Sequence, residues 1–570
     1  MISTGLILLL IVAVVSCEEG PIVNIQQGRL QGTFMVSRYG RRFFAFQGIP
    51  YAQPPVGDLR FKEPVNPEPW KGTWYASAPG SICLQKNRVH PRNYGIQDPL
   101  TGDENCLFLN VYTPKLPSYD GSQDLEVFVY FHGGAWQYGW GHEYGPKILM
   151  DRDAVLVTVT YRLGPLGFLS TGDDIVPGNM GLKDQSAALR WVKNNIAAFG
   201  GNPNSVTITG TSAGGASAHY HFLSEWSKGL FNRGISQSGS SLCPWTQMED
   251  GPAKARKLGA FLGCDDGNSR ELVDCLRNRP ARQIVEQVKH FQVWMYNPFS
   301  PFGPTVETAG SNPFLTKHPV DLLLEGKVHD VPWITSATTE DGLYPAADWV
   351  GNEKTLEELN ERFDELAPFI FDYNYTVSAD RKKYVVARIR DHYLQGRPVT
   401  PETTQEIIQM CTDRLFLLPG AQSAKLQAAV NKSPVYFYLF GYRGKHSFSE
   451  IMSGTTTNFG VSHLDDTGYI FDFDFKTDET EEDRNMSELL LDIWMAFAKT
   501  ENPVPKSRNF NWDATESNEK DLRFLFIKSP SKFEMMKNDN LGNQKFWDSL
   551  PIDERQIGKT TPIDMRHEEL

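Results

Sequence analysis

The stretch VTITGTSAGGASAHYHF, residues 206 to 222, limits what this chain can fold into more than any other segment. Val206, Thr207, Ile208 and Thr209 have the composition of a buried strand, and the Ala-rich stretch that follows favours a helix. Between them, Gly210-Thr211-Ser212-Ala213-Gly214 forces a sharp change of direction. Small residues are needed there because such a turn holds strained dihedrals and neighbouring backbone packs closely. G-x-S-x-G between a strand and a helix is the nucleophile elbow, which lifts a serine hydroxyl clear of the sheet edge. Taken alone, five residues also fit an ordinary Gly-rich strand-to-helix turn.

The surrounding sequence supplies context. Val127 to Phe131, Ala154 to Tyr161 and Val206 to Thr209 are short, near-continuous apolar runs. Such runs suit strands buried on both faces of a mostly parallel sheet. Between the last two lies KDQSAALRWVKNNIAAFGG, whose Ala188, Trp191, Val192, Ile196 and Phe199 follow helical spacing until Gly200-Gly201 stops it. Strand, helix, strand is the parallel crossover unit, so the chain reads as α/β. No composition break divides it, and residues 18–566 are expected to form one domain. The acidic run KTDETEEDR, residues 476 to 484, reads as a solvated loop.

Asp plus Glu number 69 against 56 Lys plus Arg, a net charge of -13. That balance argues against nucleic acid or an anionic membrane as the main partner, since phosphate contact needs a basic surface. The apolar run from Leu6 to Val15 is too short to span a bilayer and suits a secretory signal peptide over residues 1–17. No later segment reaches the length of a membrane span. The chain is therefore expected in the secretory pathway, secreted or in the endoplasmic-reticulum lumen. His567-Glu568-Glu569-Leu570 is similar to the tetrapeptides read by retention receptors there, or is simply a charged tail. Seven cysteines include Cys17, expected to leave with the signal, and spacing alone does not pair the other six. Asn374, Asn431 and Asn485 are N-x-S/T glycosylation acceptors, Asn431 weakened by Pro434.

A serine hydroxyl is a weak nucleophile and needs a base, a group to orient the base, and donors for an oxyanion. The order behind an elbow is Ser, then Asp or Glu, then His. His219 and His221 lie some 10 Å or more down the helix leaving the elbow, too far for a hydrogen bond, and read as structural. Oxyanion donors should come from VFVYFHGGAWQYG, residues 127 to 139, where a strand runs directly into His132-Gly133-Gly134-Ala135-Trp136.

These segments, with FQGIPYAQPPVGDLRF (46 to 61), DENCLFLNVYTP (103 to 114), GNMGLKDQSAALRWVKNNIAAFGGNPNSVTITGTSAGG (178 to 215), ISQSGSSLCPW (235 to 245), FGVSHLDD (459 to 466) and WMAFAKTENPVP (494 to 505), closely resemble the type-B carboxylesterases. The likeness is to the cholinesterase-like group, and most to its insect carboxylesterases. It implies an α/β-hydrolase fold, a large mostly parallel sheet flanked by helices with insertions forming an active-site gorge. It implies a catalytic triad of Ser212, Asp341 and His463, with Glu340 a weaker candidate for the acid and His446 the nearest rival base, read as an exposed loop residue. Gly134, Ala135 and Ala213 would form the oxyanion hole. Two-step ester hydrolysis would follow, with no metal or organic cofactor.

The resemblance also implies disulfides Cys83–Cys106 and Cys264–Cys275, a free Cys243, and Cys411 without a partner. Trp245 matches an acyl-pocket wall, though a buried structural tryptophan reads nearly as well. The Cys83–Cys106 loop lacks the tryptophan with which cholinesterases bind choline, so choline esters are poor candidates. Juvenile hormone esterases typically carry Gln where Thr211 stands, which weakens that alternative. Trp136 and Trp140 suggest an apolar gorge for uncharged esters. Some relatives of this fold have lost the triad and act as adhesion or binding proteins, but here every part of it is present.

Overall fold

The structure, a computed structural model, describes residues 19–86, 100–121, 124–264, 267–473, 478–516 and 520–554. The expected signal peptide and the His567–Leu570 tail lie outside the described residues. An 11-stranded sheet organises the rest. Its strands are β1 (Thr33–Val36), β2 (Arg42–Pro50), β3 (Phe108–Thr113), β4 (Leu125–Phe131), β5 (Ala154–Val159), β6 (Gly201–Thr211), β7 (Arg233–Gln237), β8 (Trp333–Thr338), β9 (Val435–Phe440), β10 (Leu522–Ser529) and β11 (Lys532–Asn538). Their spatial order is β11-β10-β9-β8-β7-β6-β4-β5-β3-β2-β1. From β10 through β5 every neighbouring pair is parallel, whereas β11 at one edge and β3, β2 and β1 at the other pair antiparallel.

The apolar runs become central strands because both sheet faces are covered. Along β4, Val127, Val129 and Phe131 join one core with Trp191 and Ala216, while Phe128 and Tyr130 join the other with Leu490, Trp494 and Phe497. Side chains alternate across a strand, so a continuous run is what two buried faces require. The expected crossover helix is α1 (Met180–Asn195), extended by a 3₁₀ turn at Ile196–Phe199 and stopped by Gly200 at φ 84°. The crossover from β5 lands on β6 with β4 lying between them, so the two strands share the sheet without pairing.

Both expected disulfides are formed, with Cys243 and Cys411 free and buried. The acidic run differs from expectation. Thr480 and Asp483 form a capping box, and Glu481, Glu482 and Asp483 make the first turn of a helix, Glu481–Thr500. Acidic residues there complement the helix dipole, which a loop reading overlooks. Asn485 is exposed on that helix, whereas Asn431 is half-buried and its amide donates to Val331 O at 3.1 Å. Asn374 is half-buried and accepts from Lys382 at 2.6 Å. Among the described residues, no helix is long and apolar enough to cross a membrane.

α2 (Ala213–Phe222) leaves the elbow and carries His219 and His221, both fully buried. His221 Nε2 donates to Gln185 Oε1 at 2.9 Å and its Nδ1 accepts from Ser227 Oγ at 2.6 Å. His219 contacts Ser241 and Gln427 in the same way. These are structural hydrogen bonds, as expected. Burial pushes the His221 imidazole down to about 3 from its ordinary 6.5, with the His329 and Arg190 charges adding to the shift. The unfolded chain therefore binds a proton near pH 6.5 that the folded chain refuses until about pH 3, and stability falls with pH between those values. The urea midpoint is expected to fall more steeply from pH 6.5 to pH 4 in the wild type than in a His221→Gln variant. Equal slopes would show that this imidazole does not titrate on unfolding.

Candidate active site

β6 delivers Ser212 at the N-terminus of α2 with φ 61° and ψ -126°, a conformation rarely adopted by a residue with a side chain. Close backbone contact holds it there. The Ser212 amide donates to Gln237 O at 2.8 Å. A Cβ on Gly214 would sit 1.9 Å from Phe131 O, and one on Gly239 would sit 2.0 Å from Ser212 O. Glycine is needed at both positions because only hydrogen fits.

Phe131 ends β4, and the following loop passes beside the serine: a Cβ on Gly133 would lie 3.1 Å from Ser212 Cβ. Gly134 (φ 101°), Ala135 (φ 53°) and Trp136 (φ 57°) are all left-handed. Gly134 O accepts from the Gln137 and Tyr138 amides at 2.9 and 3.2 Å, and Ala135 O accepts from Ser300 Oγ at 3.1 Å. The Trp136 indole donates to Ser217 Oγ at 3.0 Å. Among the described residues, no protein acceptor takes the amide hydrogens of Gly134, Ala135 or Ala213. His132 steadies the loop: its Nδ1 donates to Gly133 O at 2.7 Å and its ring stacks on Tyr161 at 4.3 Å. Burial lowers its pKa to about 4, so the ring is neutral at pH 7.

β8 leads into the turn carrying Asp341. Its Oδ1 accepts from His463 Nδ1 at 2.6 Å, and its Oδ2 accepts from Ser238 Oγ at 2.7 Å and the Thr338 amide at 2.9 Å. Ser238 follows β7 directly and is packed beside the elbow through Gly239. The His463 ring is flanked by Phe416 at 4.7 Å and Tyr344 at 5.2 Å. Glu340 points elsewhere, accepting from the Val461 amide at 2.6 Å and Thr339 Oγ1 at 2.7 Å. It ties the acid turn to the loop bearing His463. His446 is distant in its bonding, half-buried and hydrogen-bonded to Asp478 at 2.5 Å, not the exposed residue expected.

Beneath the elbow, Thr211 Oγ1 hydrogen-bonds Thr467 Oγ1 at 2.7 Å and accepts from Tyr130 at 3.1 Å. Asp466 accepts from Tyr438 at 2.8 Å. Burial raises its carboxyl pKa and the nearby Asp341 charge adds to the rise, which disfavours a second negative charge beside Asp341. Trp245 is buried, donates to Leu415 O at 2.8 Å, and packs against Trp136 at 5.9 Å, Phe416 at 5.9 Å and Phe299 at 6.3 Å. It thus backs the aromatic side of the site. Trp140 is half-buried beside His142 at 6.1 Å. Sequence reasoning missed Ser238, His132 and Asp466. The SQSG at the end of β7 and the HGG after β4 were the only signals, and neither spells out a partner.

Residues 19–547 match the carboxylesterase family. Venom carboxylesterase-6 of Apis mellifera is 44% identical over 541 residues, covering 95% of this chain and 96% of that protein. Esterase FE4 of Myzus persicae is 42% identical over 539 residues, covering 93% of each. Among solved structures, juvenile hormone esterase from Manduca sexta, with OTFP covalently attached, superposes with a TM-score of 0.81 at 27% identity, covering 93% of this chain and 99% of that one. The chain therefore belongs to the carboxylesterase family and is a carboxylesterase built on the α/β-hydrolase fold.

Proposed function

We propose that this carboxylesterase is a serine hydrolase acting through an acyl-enzyme on uncharged, largely apolar esters, within one catalytic domain over residues 18–566. The observation that carries the reading is the 2.6 Å His463–Asp341 hydrogen bond, set in a site with the strained Ser212 and three unclaimed amides. Ser212 Oγ attacks the ester carbonyl carbon as His463 takes its proton. Asp341 holds the imidazole with Nε2 free to act as base. The amides of Gly134, Ala135 and Ala213 donate to the developing oxyanion, each worth roughly 10²–10³ in kcat by comparison with other acyl transfers. The tetrahedral intermediate collapses with proton return from His463 to the leaving alcohol. Water then attacks the acyl-enzyme by the same route and releases the acid.

Trp245, Trp136, Phe299 and Phe416 give the acyl side an apolar wall, which suits xenobiotic, lipid-like or semiochemical esters. Hydrolysis of a juvenile-hormone-type ester is the second reading, favoured by the likeness to the Manduca sexta enzyme. The two disulfides fit an oxidising compartment, in keeping with a signal peptide over 1–17, glycosylation led by the exposed Asn485, and either secretion or receptor-mediated retention through His567–Leu570.

Nitrophenyl esters of increasing acyl length should be hydrolysed by the purified protein, with an optimum that measures the acyl pocket. Ser212→Ala should lower kcat by roughly 10⁵–10⁶-fold at unchanged melting temperature. Folded wild-type protein that turns over no ester would favour a binding role instead. Asp341→Asn should cost about 10⁴-fold in kcat and Glu340→Gln less than about tenfold, and the reverse ranking would reassign the acid.

A further inference from the structure

Two tyrosines meet across the site. Tyr138 lies on the loop that bears Gly134 and Ala135, and Tyr344 lies three residues beyond Asp341. Their hydroxyls hydrogen-bond each other. At one end, Tyr138 Cδ2 lies 3.0 Å from where a Cβ on Gly134 would stand. At the other, the Tyr344 ring sits 5.2 Å from the His463 imidazole, 5.1 Å from Phe299 and 5.8 Å from Tyr296. The pair therefore runs from the loop that bears the unclaimed amides to the ring beside the imidazole. With the bridge made, Ser212 is 8% and His463 2% exposed.

We infer that the Tyr138–Tyr344 hydroxyl bridge is a latch that sets specificity by breadth, favouring esters of slim, unbranched acids over esters of broad ones. The inference rests on the serine-esterase reading of the site. The two leaves are unequal. Tyr344 is buried among Phe299, Tyr296 and His463, so its ring is a fixed post. Tyr138 is half-buried, on a backbone pinned through Gly134 O, so its side chain is the part that turns aside. A slim acyl chain passes beside the bridge. A broad one must break it and displace the Tyr138 ring, so the hydrogen bond is subtracted from binding of broad esters only.

The test compares kcat/KM for 4-nitrophenyl butyrate and 4-nitrophenyl diphenylacetate in wild type, Tyr138→Phe, Tyr344→Phe and the double variant. Both substitutions keep the ring and remove one hydroxyl. The broad-to-slim ratio should rise roughly three- to tenfold in each single variant, the range that one neutral hydrogen bond supplies. The double variant should rise no further, because both changes delete the same bond. An unchanged ratio, a rise in only one single variant, or additive rises would overturn the latch. Wild-type protein inactive on both esters would instead overturn the esterase reading, so the two failures are distinguishable.

Discussion

The rest of the site depends on backbone strain at Ser212. A residue with a side chain at φ 61° and ψ -126° costs on the order of 1–3 kcal/mol and persists only where its surroundings over-determine it. Here they do so on two sides. Gly214 brings α2 against the end of β4, and Gly239 brings the end of β7 against the Ser212 carbonyl. These contacts need β4, β6 and β7 to be neighbours and parallel, so that their carboxyl ends emerge together. β8 continues the same edge and supplies Asp341. The parallel core is thus the device that gathers a serine, a carboxylate and a loop of free amides from distant parts of the chain, at the sheet edge where α/β ligand sites generally form.

Polar burial beneath this edge fixes the charges. Asp341 receives hydrogen bonds from three directions, from His463, Ser238 and the Thr338 amide. Its geometry is therefore set by the ends of β7 and β8 before any substrate arrives. Asp466 sits close by and satisfies its carboxyl through Tyr438, while burial and the neighbouring charge work against its ionisation. Glu340 spends its carboxylate on the Val461 amide, which orients the His463 loop without touching the imidazole. Three nearby acids thereby take three different parts, decided by what each one faces.

Much of this was legible in the sequence because it is written locally. The elbow, the apolar strand runs, the HGGAW loop and the SHLDD segment are short patterns whose backbone demands are met by adjacent residues. Asp341 against Glu340 was not resolvable that way, since the two are adjacent and only the fold shows which faces His463. The SQSG segment shows Ser238 but not its role, because its partner lies 103 residues away. The placement of β4 between β5 and β6, and the antiparallel pairing of β1, β2 and β3, are likewise long-range pairings that no periodicity records. The helical start of the acidic run was legible in principle, through Thr480 and Asp483, but composition obscured the cap.

The loop after β4 shows how rigidity and choice are divided. Ala135 and Trp136 are left-handed without being glycine, which costs roughly 1–2 kcal/mol per residue. The loop bears this strain because its other groups are occupied: His132 grips Gly133, Ser300 grips Ala135, and the Trp136 indole is held by Ser217. The amides left over cannot relax toward other acceptors, so in the proposed mechanism they would meet an oxyanion without reorganising. Such a loop has no freedom to adapt to different esters. Adaptation must come from side chains that project from it, and Tyr138 is half-buried where the backbone beneath it is fixed. Chemistry and specificity are in this way separated within a few residues, the first held by the main chain and the second by an aromatic hydroxyl.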